Sequence, residues 1–374
     1  MIYLDNAATT KPNALAINKA MEYNEELYYN PSGLYRCGIK CNNAIKDAKA
    51  DILRFLGADS SFEVIFTSCG SESNNQAIFS CVKRGVFVTD KGEHASVYKS
   101  FLELKNKGQE VYFVDLNEDG SINLDKLYVL YKEKKIDFIS LIHVNNETGA
   151  VNDVNGIART LKQINPKTIV HVDGVQAYLK IPYRLDSSID LYSISAHKIG
   201  GLKGTGALIK KKSLHISPLI HGGGQENGLR SGTENVFGIK VFQFASQNKF
   251  TNLKSDYESV KTIKDYFINN LDNSLFKIIS GANSSPYILS VSAVGVRGEV
   301  LMHTLENEDI IVGNGSACSS KNRYSRVIES CGYNNSVLDG VIRISFSPES
   351  SLEQAKIAVD KLNFACKNLK GIMR

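Results

Sequence analysis

The sequence predicts an α/β protein with a large domain built on a mainly parallel sheet and a second, smaller α+β domain. Between residues 60 and 215, seven short runs rich in Val, Ile and Phe alternate with helical patterns. These runs are almost continuously apolar, as expected of parallel strands that helices cover on both faces. After about residue 252 the strands become isolated and mix with helices. This change of pattern is typical of a separate α+β unit.

The predicted elements follow one another in a clear order along the chain. The seven strands of the large domain are EVIFTS, VFVTD, EVYFVD, FISLIHV, TIVHVD, LYSISAH and GALIKK. A long amphipathic helix is predicted over 255–271, and three further strands at KIIS, YILSVS and VIRISF. The last helix is predicted over 351–369, where PESSLEQ is an N-terminal signal. We therefore predict a large domain over 14–251 and a small domain formed by 1–13 plus 252–374.

Composition and charge narrow the class of protein. With 43% hydrophobic and 22% charged residues, the chain of 374 residues is typical of globular proteins. Its net charge of +5 comes from scattered lysines, so direct nucleic-acid binding is not expected. MIYLDNAATT lacks a signal-peptide pattern, and no run approaches the roughly 18 apolar residues of a membrane span. The odd count of seven cysteines fits reduced thiols, so we expect a cytoplasmic protein without membrane contact.

A metal site is not expected either. Cys37 and Cys41 are close in sequence, but no second Cys or His pair lies near them at the spacing of metal ligands.

Polar groups of chemical use follow five of the predicted strands, at the edge where open α/β sheets bind ligands. They are Gly70 and Ser71, His94, Asn146, Asp173 with Gln176, and Ser195 with His197 and Lys198. The first pair lies in a small-residue turn that opens a helix, where free N–H groups suit a phosphate. Any one of these residues alone is more often a turn or cap residue. All five together predict a single crevice.

A phosphate cradle, an acid, a lysine and an imidazole together match the needs of pyridoxal 5′-phosphate. Its aldehyde condenses with a lysine amine, and a carboxylate keeps its ring nitrogen protonated. Competing sites lack their motifs, because the chain contains no GxGxxG, GxxxxGK[ST] or HExxH. HGGG at 221–224 is similar to an oxyanion loop, but no GxSxG is present to supply a serine nucleophile.

The motifs also resemble those of a known family. YLDNAATT, NPSG, SESNN, EHASV, HVNNETGAV, HVDGVQ, SISAHKIGG, RSGTEN and GSACSS occur in the order seen in cysteine desulfurases. These are pyridoxal-phosphate enzymes of the class V aminotransferase group, and the resemblance runs from residue 3 to beyond Arg343. It implies the fold-type I architecture of such enzymes and a homodimer with shared sites. It further implies L-cysteine as substrate and a sulfur-acceptor protein as partner.

The resemblance assigns roles to individual residues. Lys198 would bind the cofactor covalently and move the substrate Cα proton, and His94 would stack on its ring. Cys318 would be the nucleophile that carries sulfur as a persulfide. The residues expected to bind the cofactor are Gly70, Ser71, Asn146, Asp173, Gln176, Ser195, His197 and, toward the neighbouring subunit, Thr233. Asn146 and Arg343 would hold the substrate carboxylate, a task for which a bidentate guanidinium is well suited.

Several alternatives stay open at this point. A selenocysteine lyase or another class V lyase or aminotransferase shares much of the site, although an aminotransferase would not need Cys318. A non-catalytic member would be expected to lack Lys198 or Asp173, and both are present. The phosphate turn reads Cys69-Gly70-Ser71 where the family usually has Gly-Ala-Thr. Ser71 keeps the hydroxyl that the threonine would supply. CSSK at the cysteine leaves iron–sulfur scaffolds, tRNA thiolation and thiamine synthesis as possible destinations of the sulfur.

Overall fold

A computed structural model of the chain describes residues 1–313 and 324–372. The strands are β1 (Ile2–Leu4), β2 (Phe62–Thr67), β3 (Val86–Asp90), β4 (Glu110–Val114), β5 (Phe138–Ile142), β6 (Ile169–Asp173), β7 (Leu191–Ser195), β8 (Gly206–Lys211), β9 (Phe276–Ile278), β10 (Ile288–Ala293), β11 (Ile310–Val312) and β12 (Val341–Ser345). The α-helices are α1 (Ala14–Asn24), α2 (Arg36–Phe55), α3 (Gly70–Ser80), α4 (Ala95–Asn106), α5 (Leu124–Glu133), α6 (Val154–Ile164), α7 (Val236–Asn270), α8 (Gly298–Glu306), α9 (Arg326–Ser330), α10 (Asn335–Leu338) and α11 (Leu352–Ile372).

All seven strands predicted for the large sheet are present in one sheet. Their order is β2-β8-β7-β6-β5-β3-β4. The β3–β4, β3–β5, β5–β6 and β6–β7 pairs are parallel, and β8 runs antiparallel to both of its neighbours. The prediction of an α/β protein with a mainly parallel sheet is therefore confirmed.

Apolar side chains are buried on both faces of this sheet, and successive residues of a strand point to opposite faces. On β2, Val64 and Phe66 join the apolar cluster that includes Ile52 of α2. Ile65 faces the opposite way and packs with Phe101 of α4. Burial on both sides explains why the strands read as continuous apolar runs rather than as an alternating pattern.

The C-terminal third forms a second sheet and a separate core. β10 lies between β9 and β12 and is antiparallel to both. The N-terminal strand β1 joins this region, because it pairs in parallel with β11 through Ile2–Ile310 and Leu4–Val312. Helices α8 and α11 cover the apolar side chains of these strands. The prediction of a smaller region that mixes strands and helices is confirmed.

Helix α7 joins the two regions as one continuous element of 35 residues. Its first turns bury Ile239 and Phe242 in the core of the large sheet, whereas Ile263 and Phe267 belong to the C-terminal core. The helix begins 19 residues before the predicted start at 255, because both ends are held by packing. The predicted boundary between 251 and 252 falls inside this helix, and the division into 14–251 and 1–13 plus 252–374 stays a prediction.

None of the helices in residues 1–313 and 324–372 combines the length and the apolar character that a membrane crossing requires.

Replacing Phe267 by alanine should lower the free energy of unfolding by about 3–5 kcal/mol, because it empties a ring-sized volume in the C-terminal core. The Phe267 side chain is fully buried, with its ring centroid 5.1 Å from that of Phe346. Phe364→Ala is the matched control, since this ring is 63% exposed. The control should change stability by less than about 0.5 kcal/mol. Urea unfolding followed by circular dichroism measures both, and equal losses would contradict the packing described.

Candidate active site

The carboxyl ends of five sheet strands meet at one cavity of about 580 Å³. The sequence-predicted residues that line it are Gly70, Ser71, His94, Asn146, Asp173, Gln176, Ser195, His197, Lys198 and Arg343. Strands β2, β3, β5, β6 and β7 each lead into one group of them. Parallel strands place their carboxyl ends at one edge of a sheet, so residues far apart in sequence converge there.

Lys198 ends a short 3-10 turn, Ala196–Lys198, directly after β7. Its Nζ donates hydrogen bonds to the carbonyl oxygens of Ala7 and Ala8, at 2.7 and 2.8 Å. The chain then turns at Gly200, whose φ of +86° favours glycine. The Gly200 N–H donates to Thr10 Oγ1 at 2.8 Å. Thus the N-terminal segment lies directly against the lysine.

Asp173 is the last residue of β6 and is almost fully buried. Its Oδ2 accepts from Nδ2 of Asn74 at 2.8 Å, and its Oδ1 accepts from the Val175 N–H at 3.0 Å. The donors on both oxygens fix the orientation of the carboxylate.

Helix α3 begins at Gly70, and the preceding Cys69 makes no side-chain capping hydrogen bond. A Cβ on Gly70 would lie 2.7 Å from Cγ2 of Val175, so a larger residue would displace this turn. Ser195, across the turn, has a buried Oγ without a hydrogen-bond partner among the described residues. Unpaired N–H groups at a helix start together with a free hydroxyl form a site suited to an anion.

Two histidines of the cavity are held neutral. Burial lowers the pKa of His94, and the nearby cations of Lys198, Arg326 and Arg343 lower it further, whereas Asp173 raises it. Burial and the positive charge of Lys198 lower the pKa of His197 to about 4. His197 Nδ1 lies 3.1 Å from Thr9 Oγ1. Neither ring is expected to add a positive charge to the cavity at neutral pH.

Gln176 shares a hydrogen-bond acceptor with Lys198, and both the nitrogen and the oxygen of its side-chain amide are hydrogen-bonded. Its Nε2 donates to the Ala7 carbonyl oxygen, and its Oε1 accepts from Nζ of Lys180, both at 2.8 Å. Lys180 is fully buried, and burial together with the charge of Lys198 lowers its pKa well below the usual range. The Ala7 oxygen therefore accepts from both Gln176 and Lys198.

Arg343 of β12 brings a guanidinium to the cavity from the C-terminal sheet. Its Nη2 donates to Asp5 Oδ1 and its Nη1 donates to the Asn146 carbonyl oxygen, both at 2.8 Å. Its Nε and the Asn146 Oδ1 are buried without a partner among the described residues. The two predicted substrate-binding residues thus lie in contact.

Thr233, another predicted site residue, does not line this cavity. Thr233 is exposed on the surface of its own chain. Arg230, three residues earlier, is ion-paired with Glu72 in the first turn of α3 at 2.9 Å. Cys318 lies outside the described residues. Gly313 before it and Ser325 after it both line the cavity.

The sequence analysis missed several cavity residues. Asp5 lies in the quoted YLDNAATT motif and Glu93 in EHASV, so motif membership was an available signal for both. Burial and the charges of Asp90 and Asp173 raise the pKa of Glu93 well above its usual range. Arg326 gave no sequence signal.

Arg326 is held by two contacts at the cavity wall. Its Nη2 donates to the Glu93 carbonyl oxygen at 2.6 Å, and its guanidinium lies 3.8 Å from the ring centroid of Tyr98. Beside it, the Ser325 hydroxyl donates to Oε2 of Glu147, a carboxyl whose pKa is raised by burial. The positive charge of Arg326 partly balances these buried carboxyls.

Comparison with known proteins agrees with this architecture. The family model "Aminotransferase class-V" matches residues 2–357. A protein named cysteine desulfurase IscS, from Dictyoglomus turgidum, is 34% identical and covers 99% of this chain and 96% of its own. A solved NifS-like protein superposes with a TM-score of 0.91 at 31% identity, covering 98% of this chain and all of its own. The solved structure titled "SspA in complex with cysteine" has a TM-score of 0.80 at 26% identity, covering 94% of this chain and 100% of that one.

The chain belongs to the class-V aminotransferase family, and its fold is that of the solved NifS-like protein. Within that family its relatives are the cysteine desulfurases, which depend on pyridoxal 5′-phosphate.

Replacing His171 should flatten the pH dependence of stability between pH 7 and 5. This ring lies two residues before Asp173, between the hydroxyls of Ser140 and Ser193 at 2.9 and 3.0 Å. Burial lowers its pKa to about 3, so the folded protein excludes a proton that the unfolded chain binds near pH 6.5. Stability from this group is present above pH 6.5 and is lost as the pH falls toward 3.

Wild-type protein should therefore lose about 2 kcal/mol more than His171→Phe when the pH falls from 7 to 5. Urea unfolding at both pH values measures the difference. His303→Gln is the control, because the His303 side chain is 60% exposed, and it should behave as wild type. An identical loss of stability in wild type and His171→Phe would show that the folded protein protonates this ring as readily as the unfolded chain does.

Proposed function

We propose that this chain uses pyridoxal 5′-phosphate to convert L-cysteine to L-alanine and passes the sulfur to an acceptor protein. The observation that carries the proposal is the arrangement of Lys198 and Asp173 around one cavity whose other polar groups are partly unpaired. A buried donor or acceptor without a partner is costly unless a ligand or water satisfies it. The cavity residues therefore fit a ligand with an anionic group, a polar ring and a reactive carbonyl.

The described residues offer a partner for each part of the cofactor. The start of α3 at Gly70 and Ser71, with Ser195 and His197, supplies neutral donors for a phosphate. Asp173 would pair with the ring nitrogen, and Gln176 would donate to the ring hydroxyl. When bound, pyridoxal phosphate supplies an aldehyde that condenses with amines and a ring that accepts electron density.

Lys198 would hold the cofactor and transfer the Cα proton of the substrate. An amine acts as a base only when it is neutral, so Lys198 would take up this proton on an uncharged Nζ. The carbonyl oxygens of Ala7 and Ala8 orient Nζ, so it stays beside the cavity when it is not covalently engaged. His94 would stack on the ring as a neutral imidazole.

Arg343 would bind the carboxylate of the substrate together with Asn146. Asp5 and the Asn146 carbonyl oxygen hold the two Nη atoms of the guanidinium, while Nε has no partner among the described residues, so the group is preorganised. A side chain that is already held in its binding rotamer loses less entropy when the ligand arrives. The solved structure of SspA is a complex with cysteine, which supports an amino acid of this size as the ligand here.

Cys318 would be the sulfur acceptor within the chain. Its thiolate would attack the substrate sulfur, so that a sulfur–sulfur bond forms while the carbon–sulfur bond breaks; the bonding pair stays with the substrate, Cβ takes up a proton, and alanine leaves. The described residues on both sides of it, Gly313 and Ser325, line the same cavity, which supports this role. The outer sulfur of the persulfide would then pass to an acceptor protein that serves iron–sulfur cluster, thiolated tRNA or thiamine synthesis.

We also propose that the chain works as a homodimer. Large apolar side chains at Leu15, Tyr28 and Leu34 are 73%, 70% and 95% exposed. Exposed apolar surface of this kind is what a subunit interface would cover. Thr233 is exposed as well, as a residue that reaches the partner's phosphate would be.

Borohydride reduction of the purified yellow protein should attach the cofactor permanently to the peptide that contains Lys198. Mass spectrometry of the digest locates the label. Lys198→Ala should abolish it, because the amine that forms the covalent link is gone. The matched control is Lys203→Ala, which removes an exposed lysine five residues later and should keep the label. A label on Lys180 or any other lysine would end the proposal.

Cys318→Ala should reduce alanine formation from cysteine more than about 100-fold, because the nucleophile is removed. The absorption spectrum of the bound cofactor should stay as in wild type. Cys37→Ala, which removes a half-buried thiol of α2, should retain both activity and spectrum. Alanine release at the wild-type rate by Cys318→Ala would show that another group takes the sulfur.

A further inference from the structure

A line of hydrogen bonds connects the two groups predicted to touch the cofactor ring, Asp173 and His94. Asn74 Nδ2 lies 2.8 Å from Asp173 Oδ2 and 2.9 Å from Ser96 Oγ. Ser96 Oγ lies 2.8 Å from His94 Nδ1. Asn74 comes from α3 and Ser96 from the first turn of α4, so the line crosses the two helices that start at the cavity.

The direction of these hydrogen bonds follows from the chemistry of the groups. An ionised carboxylate only accepts, so the Asn74 atom that faces Asp173 must be the amide nitrogen. The same nitrogen has a second hydrogen, which it donates to Ser96 Oγ. The Ser96 hydroxyl accepts from Asn74, and its own hydrogen can then point to His94 Nδ1.

A backbone hydrogen bond also indicates which nitrogen of the His94 imidazole carries the proton. The Ser96 N–H points to His94 Nδ1 at 3.2 Å, and a backbone N–H can only donate. Nδ1 therefore presents a lone pair and carries no proton. The single proton of the neutral ring is on Nε2.

We infer that Ser96 and Asn74 are positioning residues that hold His94 as the neutral, Nε2-protonated imidazole and align it with Asp173. A second proton would have to bind Nδ1, where it would face the Ser96 N–H. Only Nε2 is then available for hydrogen bonding to a bound ligand. The charged groups around the ring are Asp173, Lys198, Arg326 and Arg343, of which three are cations that oppose a further positive charge.

This inference rests on the proposed place of His94 at the cofactor ring, but its test does not require turnover. Two-bond ¹H–¹⁵N correlation spectra of histidine-labelled holoenzyme distinguish the two neutral tautomers. A His94→Gln sample assigns the signal. In the wild-type enzyme His94 should be protonated at Nε2 alone, and an Nδ1-protonated signal that is missing from the His94→Gln spectrum would overturn the inference.

The variants test which side chain holds the ring. Ser96→Ala removes a donor to the neutral form, so the pKa of His94 should rise by about one unit. Asn74→Ala should raise it in the same direction by less, and Ser96→Thr should restore the wild-type value. Ser100→Ala is the matched control, because its hydroxyl donates to the Ser96 carbonyl oxygen and not to the line itself. An unchanged His94 pKa in Ser96→Ala would show that the hydroxyl has no such role.

If the holoenzyme released no alanine from cysteine, the proposed reaction would fail while the tautomer could still be read. If the tautomer were wrong in an active enzyme, this inference alone would fail.

Discussion

The register of three parallel strands is the constraint on which the site depends. Ile142 of β5 is level with Asp173 of β6, which is level with Ser193 of β7. Because the backbone hydrogen bonds fix this alignment, the residues that follow each strand emerge at the same height. Asn146, Gln176 and Lys198 are brought together in this way. A shift of one residue in any strand would turn its buried side chains to the opposite face of the sheet.

Burial gives the cavity its chemical character. Glu93 lines it and Asp90 ends β3 nearby in sequence; burial raises the pKa of Asp90 to about 7 and that of Glu93 well above its usual range. Neutral acids and neutral imidazoles reduce the net charge that must be buried. Asp173, by contrast, has a hydrogen-bond donor on each oxygen. The result is a site where a few fixed charges act in a poorly solvated space, which strengthens each of them.

The site is complete only when the C-terminal region packs against the large sheet. Arg343 belongs to the small sheet, yet it reaches Asp5 and Asn146. Asp5 follows β1, which pairs with β11, and Asp5 also forms a parallel bridge with Ser345. The N-terminal segment therefore joins the two regions and also supplies the carbonyl oxygens that hold Lys198. Helix α7 anchors both cores and limits how the two regions can separate.

The sequence by itself determined the seven strands and the residues at their ends, because apolar runs and turn chemistry are local properties. It did not reveal the full extent of α7, where a polar middle stretch is helical only because each end is packed in a different core. It also left Arg326 unnoticed. The pairs Asp5–Arg343 and Asn74–Asp173 are 338 and 99 residues apart in sequence. Only the tertiary structure could bring such groups within hydrogen-bonding distance, since nothing local in the chain specifies a partner so remote.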